Sequence, residues 1–435
     1  MYRPHDCPRC AALAAKNSDN APKFDHTAFE NAMRDLHQAG NAQPEIVQKK
    51  GVQSLIDETY RVLQHGVAAG IADNQIPYEM AQSLDHDTFV FSGMKVYNEV
   101  KEGSLHLRDE KGHVKSFQSF LNDVENIDKQ YNQNYLNAEY NFAVHSAQMA
   151  AKWADFERDG DTYLLQYRTA QDGLVRAEHA MLDDTTLPMN DPFWDKYMPP
   201  IAWNCRCTTV QVNGGKYPES NSADAIEKGE RATTQIGSDG KNKLEMFRFN
   251  SGKQKVVFPP NNAYMTSKCA ACRLHNRTEL AANIPVSEKC QTCTLINKNY
   301  EVKKKTAAAE DRKKHLDEMK PLLKKEVKKE TGEKVINIGF TKKGNKHLYS
   351  DTFNNTKGLL DKTELKTLDA ALIQSTFVKS ADLSKKRKDN IKKFYYFKDK
   401  TRELYYNIAE EREKLNDGRE KIHQYLYAVT KTIKK

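Results

Sequence analysis

No stretch of the 435-residue sequence approaches the ~18–20 consecutive apolar residues of a membrane-spanning helix, and the opening Met1-Tyr-Arg-Pro-His-Asp lacks the apolar core of a signal peptide. Membrane spanning and export by the standard route are therefore not expected. No solenoid-type repeat recurs. Nor is the chain poor enough in apolar residues to stay unfolded: 38% are hydrophobic and 29% charged, with a mean hydropathy of −0.80. The length is several times that of a common domain, so two to four domains are expected. What the chain does have is an uneven charge. Residues 301–435 carry 35 Lys and Arg against 21 Asp and Glu, a net +14, whereas the first 300 residues are net −5. Any contact with a polyanion is expected in the C-terminal third.

No cysteine stands alone. The eight fall as four close pairs: Cys7/Cys10, Cys205/Cys207, Cys269/Cys272 and Cys290/Cys293. Disulfides rarely join cysteines so near in sequence, and a reducing cytoplasm keeps thiols free, so paired knuckles point to metal. Cys269, Cys272, Cys290 and Cys293 have zinc-ribbon spacing, with two tight turns each supplying two thiolates to a structural zinc ion. Cys7/Cys10 and Cys205/Cys207 either complete a second four-thiolate site or are an exposed knuckle and two packed cysteines.

Periodicity divides the chain. After an N-terminal CxxC segment (1–26), apolar residues at three- and four-residue spacing (Phe29, Met33, Leu36; Val52, Leu55, Ile56, Tyr60, Leu63) predict helices. Ser92-Gly93 is expected to interrupt them, and Ser116 to cap a long helix through Tyr131. Short strands are expected at 163–167 and 208–212, closing a domain over 27–212. Residues 213–260 read as linker with one strand at 254–258, 261–299 as the zinc-ribbon-like module and 300–330 as a charged helical spacer. A separate domain is expected over 331–435, with one strand, helices over about 342–376, then three antiparallel strands. The fold class is multidomain α+β: a mostly helical N-terminal domain with a small β region, the cysteine module, and a C-terminal domain of helices plus an antiparallel sheet.

The densest unusual text is Tyr167-Arg-Thr, Asp172 to Asp183, Leu187-Pro, Asp191-Pro-Phe-Trp and Trp203-Asn-Cys-Arg-Cys207. Arg168, Arg176, His179, Asp183 and the Cys205/Cys207 pair form either a hydrogen-bonded clamp or a metal site. With no nucleophile in view, the clamp is the favoured reading over a catalytic one. This text resembles the phage Mu F-like head morphogenesis family, the minor head or minor capsid proteins. The likeness extends to Phe89–Lys95, Leu107–Phe120 and Ala138–Asn141, about residues 50–212, and Asp184 stands where glycine is common. The resemblance implies a virion or procapsid protein of a tailed phage or prophage, assembled in the host cytoplasm with portal and head proteins as partners, that aids head assembly.

In the basic domain, Thr341-Lys-Lys-Gly-Asn-Lys-His347 lies at a strand-to-helix junction. Metal-independent RNA cleavage needs a base, an acid and cations on the phosphate. His347 fits base or acid, Lys342, Lys346 and Arg402 the charge, and Thr430 a phosphate hydrogen bond. A solvated lysine surface is the alternative. The order of elements, with Ile338–His347, Phe394–Lys398, Leu404–Ile408 and Leu426–Thr430, is similar to phage-associated nuclease-like domains related to barnase, EndoU, colicins and RelE. That resemblance implies a domain acting on RNA. A ribonuclease toxin delivered by the head domain and a non-catalytic packaging factor that binds RNA or packaged DNA both remain open.

Overall fold

The structure is a computed structural model that describes residues 21–72, 74–260, 262–265, 286–348, 359–360, 364–383, 390–415 and 417–433. It is a mixed α+β chain of two compact units, Met1–Glu301 and Val302–Lys435. Among the described residues, no helix is long and apolar enough to cross a membrane.

The first unit is built on helices α1 (Thr27–Ala39), α2 (Lys50–Ile71), α3 (Tyr78–Ser104), α4 (Phe117–Asp123), α5 (Glu125–Asp128) and α6 (Leu136–Asp159). Its small sheet comprises β1 (Leu164–Arg168), β2 (Thr186–Pro188) and β3 (Thr208–Val212), with the one-turn helices α7 (Ala177–Ala180) and α8 (Phe193–Lys196) between them. Helices α9 (Ser222–Ala232), α10 (Ser251–Gln254) and α11 (Val286–Glu318) follow, the last running past the unit boundary. The expected apolar stripe of α1 is buried through Phe29, Met33 and Leu36, and Gly40 at φ 72° closes the helix by donating its N–H to the Leu36 carbonyl. Ser116 caps α4 as expected, accepting from the Ser119 N–H. The predicted long helix beyond it is instead broken at Val124 and continues as a π-helical turn, Lys129–Tyr135.

Ser92-Gly93 does not interrupt α3. Every residue from Thr88 to Val100 is buried, so α3 is the central helix and tertiary packing overrides the local propensity of this pair. The Ser92 hydroxyl donates to the Thr88 carbonyl one turn back, and a Cβ on Gly93 would lie only 2.7 Å from Ile296 of α11. The glycine is there for close helix approach. The stripe continues on both sides: His86 meets Asn297 at 2.7 Å, Phe89 lies against Tyr300, and Tyr97 donates to Glu288.

Residues 213–260 do not behave as a linker. They hold α9, capped by Asn221, and bury Phe247, Phe249, Val257 and Phe258 in the helical core; 254–258 form no strand. Asp87 ties this segment to α3 by accepting the Val257 and Phe258 N–H groups at 2.8 and 2.9 Å.

The helical core also encloses charge. Lys95 is fully buried with Nζ 2.8 Å from Glu139 Oε2 and 2.8 Å from the Tyr131 carbonyl, inside a ring of Tyr131, Tyr135 and Tyr264. Tyr264 donates to Glu139 at 2.7 Å. Beside them Glu99 accepts from Asn132 at 2.6 Å, and burial raises its carboxyl well above the usual glutamate range.

The second unit is one six-stranded sheet in the order β4-β5-β9-β8-β7-β6: β4 (Glu326–Glu330), β5 (Val335–Gly339), β6 (Thr376–Asp382), β7 (Ile391–Lys398), β8 (Tyr405–Lys414) and β9 (Glu420–Thr430). It is antiparallel except where β5 runs parallel to β9, Ile338 facing Gln424. Helices α12 (Lys342–Leu348) and α13 (Leu368–Gln374) are shorter than the expected 342–376 helical region. The spacer is helical only to Glu318. Beyond Pro321 at the start of a 3-10 turn, Glu326–Glu330 are strand β4, paired with β5. The sheet is buried on both faces: one carries Ile336, Ile338, Phe397, Tyr406, Ile408 and Leu426, the other Ile391, Phe394, Tyr396, Ala409 and Tyr425.

Candidate metal centre

Strand β1 is the middle strand of the small sheet, Tyr167 facing Thr209 and Leu165 facing Leu187. The chain that leaves it at Arg168 returns through α7, β2 and α8 to the Asn-Cys-Arg-Cys segment that leads into β3. Asn204 takes a left-handed conformation at φ 55°, one of the few that asparagine tolerates, and its Oδ1 accepts from Asn141 of α6 at 3.1 Å. Trp203 before it is held edge-on by Phe142 and Phe247. In the Cys-Arg-Cys run the outer side chains point together and the middle one away. Arg206 therefore faces out to Asp172 at 2.6 Å, while Cys205 and Cys207 face inward.

There they meet His179. Its Nδ1 is 3.6 Å from the Cys205 sulfur and 3.7 Å from the Cys207 sulfur, all three residues are buried, and their ligand atoms lie within 4.8 Å of one another. Both thiols are free. Burial would raise Cys205, but a hydrogen bond from Cys207 and the neighbouring His179 lower it; Cys207 is raised by that same hydrogen bond and by burial. The Tyr167 hydroxyl, fully buried and pushed up by burial, faces the Cys207 sulfur. A cavity of about 10 Å³, lined by Ala170, Leu174, Val175, Arg176, Asn204 and Arg206, adjoins the three ligand residues. Among the described residues this is the one His/Cys/carboxylate group close enough to hold a metal ion.

Of the larger clamp expected from sequence, Arg176 lines the cavity beside the cluster, while Arg168 and Asp183 bond elsewhere. Arg176 donates to the Trp203 carbonyl at 2.8 Å, Arg168 to Gln166 at 2.9 Å, and Asp183 accepts from the Thr169 N–H at 2.7 Å. Helix α7 ends at Ala180, so His179 and Asp183 do not share a helical face. Asp184 keeps the turn that glycine would make, at φ 60°. The sequence admits the metal reading of His179 with the Cys-x-Cys beside that of the clamp. Residue spacing alone does not show that α7 and the start of β3 converge.

The zinc-ribbon cysteines are placed differently from expectation. Cys290 and Cys293 lie within α11, one turn apart, and not in a tight turn; Cys293 is buried in the helical core and its sulfur is 3.4 Å from Asn297 Nδ2. Cys269 and Cys272 lie outside the described residues, as do Cys7 and Cys10.

In the second unit His347 stacks on Tyr427 with ring centres 4.2 Å apart. Thr430, three residues further along β9, bonds Asn407 and the Thr432 carbonyl, and Lys342 and Lys346 are exposed on α12. Arg402 is not with them. It pairs with Glu364 and Asp399, and Asp399 accepts from Tyr406, whose ring belongs to the opposite face of the sheet from Tyr427.

Residues 61–210 match the family model described as Phage Mu protein F like protein, so this part of the chain is similar to that family. Over 81 residues the chain is 33% identical to the putative capsid assembly protein F of Escherichia phage Mu. That stretch covers 18% of this chain and 18% of the relative. No solved structure matches. The Mu F-like span contains α3, α6, β1, β2, the start of β3, and His179, Cys205 and Cys207 alike.

Proposed function

We propose that the chain is a minor head protein of a tailed phage or prophage, acting in head morphogenesis beside the portal, with the basic C-terminal unit appended to act on nucleic acid. The observation that carries the first part is the Mu F-like match over 61–210, which takes in the central helix α3, helix α6 and the cysteine-histidine cluster. In this reading the partners are portal and head proteins and the chain resides in the procapsid. Sedimentation of procapsids from infected or induced cells tests it: the protein co-sediments with heads, and its absence from purified heads would overturn the assignment.

For the C-terminal unit, the net +14 over 301–435 supports contact with a phosphate backbone through counterion release. His347 stacked on Tyr427, with Thr430 along the same strand, supports RNA cleavage as the chemistry. Arg402, neutralised by two carboxylates on the other face, is dropped from that set and assigned to structure. Incubating the full chain with total RNA in chelator decides between the readings. Cleavage that disappears in His347→Ala supports a ribonuclease; intact RNA with salt-sensitive binding assigns the unit to binding alone.

A further inference from the structure

We infer that His179, Cys205 and Cys207 bind one zinc ion, with the fourth position of its tetrahedron open to the adjoining cavity and filled by water. The geometry distinguishes a metal from a hydrogen-bonded clamp. Imidazole Nδ1 has a single in-plane lone pair, yet two sulfurs stand almost equally far from it, at 3.6 and 3.7 Å. A single S–H donor on that lone pair would draw its own sulfur closer than the other, and neither sulfur is favoured. An ion lying on that lone pair serves both. With Zn–S of ~2.3 Å and Zn–N of ~2.0–2.1 Å at the tetrahedral angle, the N-to-S separation is about 3.5 Å, close to both observed distances.

Charge and donor type agree. Two thiolates cancel the dication, so the bound centre is neutral and suits a site where all three ligands are buried. Sulfur with imidazole is a donor set of zinc and excludes the hard, oxygen-seeking calcium and magnesium. The Tyr167 hydroxyl, which has no oxygen or nitrogen partner, faces the Cys207 sulfur and is placed to donate to a metal-bound thiolate. The adjoining cavity of about 10 Å³ holds about one water. The ion joins α7 to the segment that leads into β3, across a stretch whose own elements are four residues or fewer. This inference is independent of where the protein acts.

The test is zinc per chain in the full-length protein, read as a difference because the chain has six further cysteines that can take up zinc. Cys205→Ser/Cys207→Ser loses about one zinc per chain relative to wild type; an unchanged count overturns the inference. His179→Cys guards against a double variant that fails to fold. Nδ1 is the ring nitrogen nearer the backbone, so a cysteine sulfur reaches nearly the same point. The variant therefore keeps its zinc, and on cobalt substitution the thiolate charge-transfer absorption of this site rises by about half, from two thiolates to three. A hydrogen-bonded clamp gives no such rise, and its absence likewise overturns the inference.

Discussion

Lys95→Met tests the buried ion pair, because methionine nearly fills the lysine's volume and removes its ammonium group. The variant leaves Glu139 in the core with Tyr264 as a donor but no cation, and strips the Tyr131 carbonyl of its partner. Removing one member of a buried pair costs about 3–5 kcal/mol. An independent bound comes from protonation. A carboxyl with the ordinary glutamate value of ~4.3 is neutralised at pH 7 for about 3.7 kcal/mol and at pH 5 for about 1 kcal/mol. The lost hydrogen bond adds about 1 kcal/mol. The expected deficit is therefore about 4–5 kcal/mol at pH 7, falling to about 2 at pH 5. The sign follows from linkage: in the variant the folded state holds Glu139 protonated, so stability is lost as pH rises above the unfolded value. All three tryptophans, Trp153, Trp194 and Trp203, lie in the first unit, so urea unfolding of the full chain followed by their fluorescence reports this unit directly. Lys95→Met/Glu139→Leu should recover most of the loss. A deficit below about 1 kcal/mol at pH 7, or one that does not change with pH, would refute the reasoning.

Glu99→Gln is expected to stabilise the first unit at pH 7–8 and to have little effect near pH 4. The buried Glu99 carboxyl is raised, so wild-type stability falls by up to about 1.4 kcal/mol per pH unit above the unfolded value until Glu99 ionises; the same fluorescence titration checks this. In the second unit burial opposes ionisation of Glu410, but Tyr395, Gln424, Arg412 and Lys334 bring it down to about 2. Its stabilisation is present above the ordinary glutamate value and disappears as pH falls through about 2. Glu410→Gln should cost about 1.5–3 kcal/mol at pH 7 and nothing at the acid end, read by tyrosine circular dichroism. Gly93→Ala places a methyl against Ile296 and should destabilise by about 1–3 kcal/mol in urea unfolding, with Gly93→Ala/Ile296→Ala losing less than the sum of the single changes.

The sequence made the helical periodicity legible where one face is apolar, as in α1 and α2, and its turn chemistry where one residue decides, as at Ser116. It misled where burial is complete. The Ser92-Gly93 pair reads as a breaker only while α11, some two hundred residues later, is out of sight. Phe247, Phe249, Val257 and Phe258 sit among polar residues and show no period, so their burial was hidden. At the candidate site, the Asn-Cys-Arg-Cys text was conspicuous and its left-handed asparagine had a reason readable from residue type. That His179 is the third ligand residue depends on a fold-back that spacing cannot supply. Cys290 and Cys293 show a second ambiguity: CxxC spacing suits a metal knuckle and one helical turn equally, and here the pair lies in a helix.

The stripe His86, Phe89, Gly93 and Tyr97 bears on the order in which the molecule is made. Its cover comes from Glu288, Ile296, Asn297 and Tyr300, so the central helix waits for the last stretch of its own unit, from Glu288 to Glu301. On a ribosome the core stays open until Tyr300 has emerged, and closure then joins segments about two hundred residues apart, the kind of late, long-range step that slows folding and exposes nascent chains to aggregation. A fragment cut at the borders of the Mu F-like match would keep that apolar stripe bare. It should be isolated as an aggregate, whereas a chain ending just after residue 301 should be monodisperse.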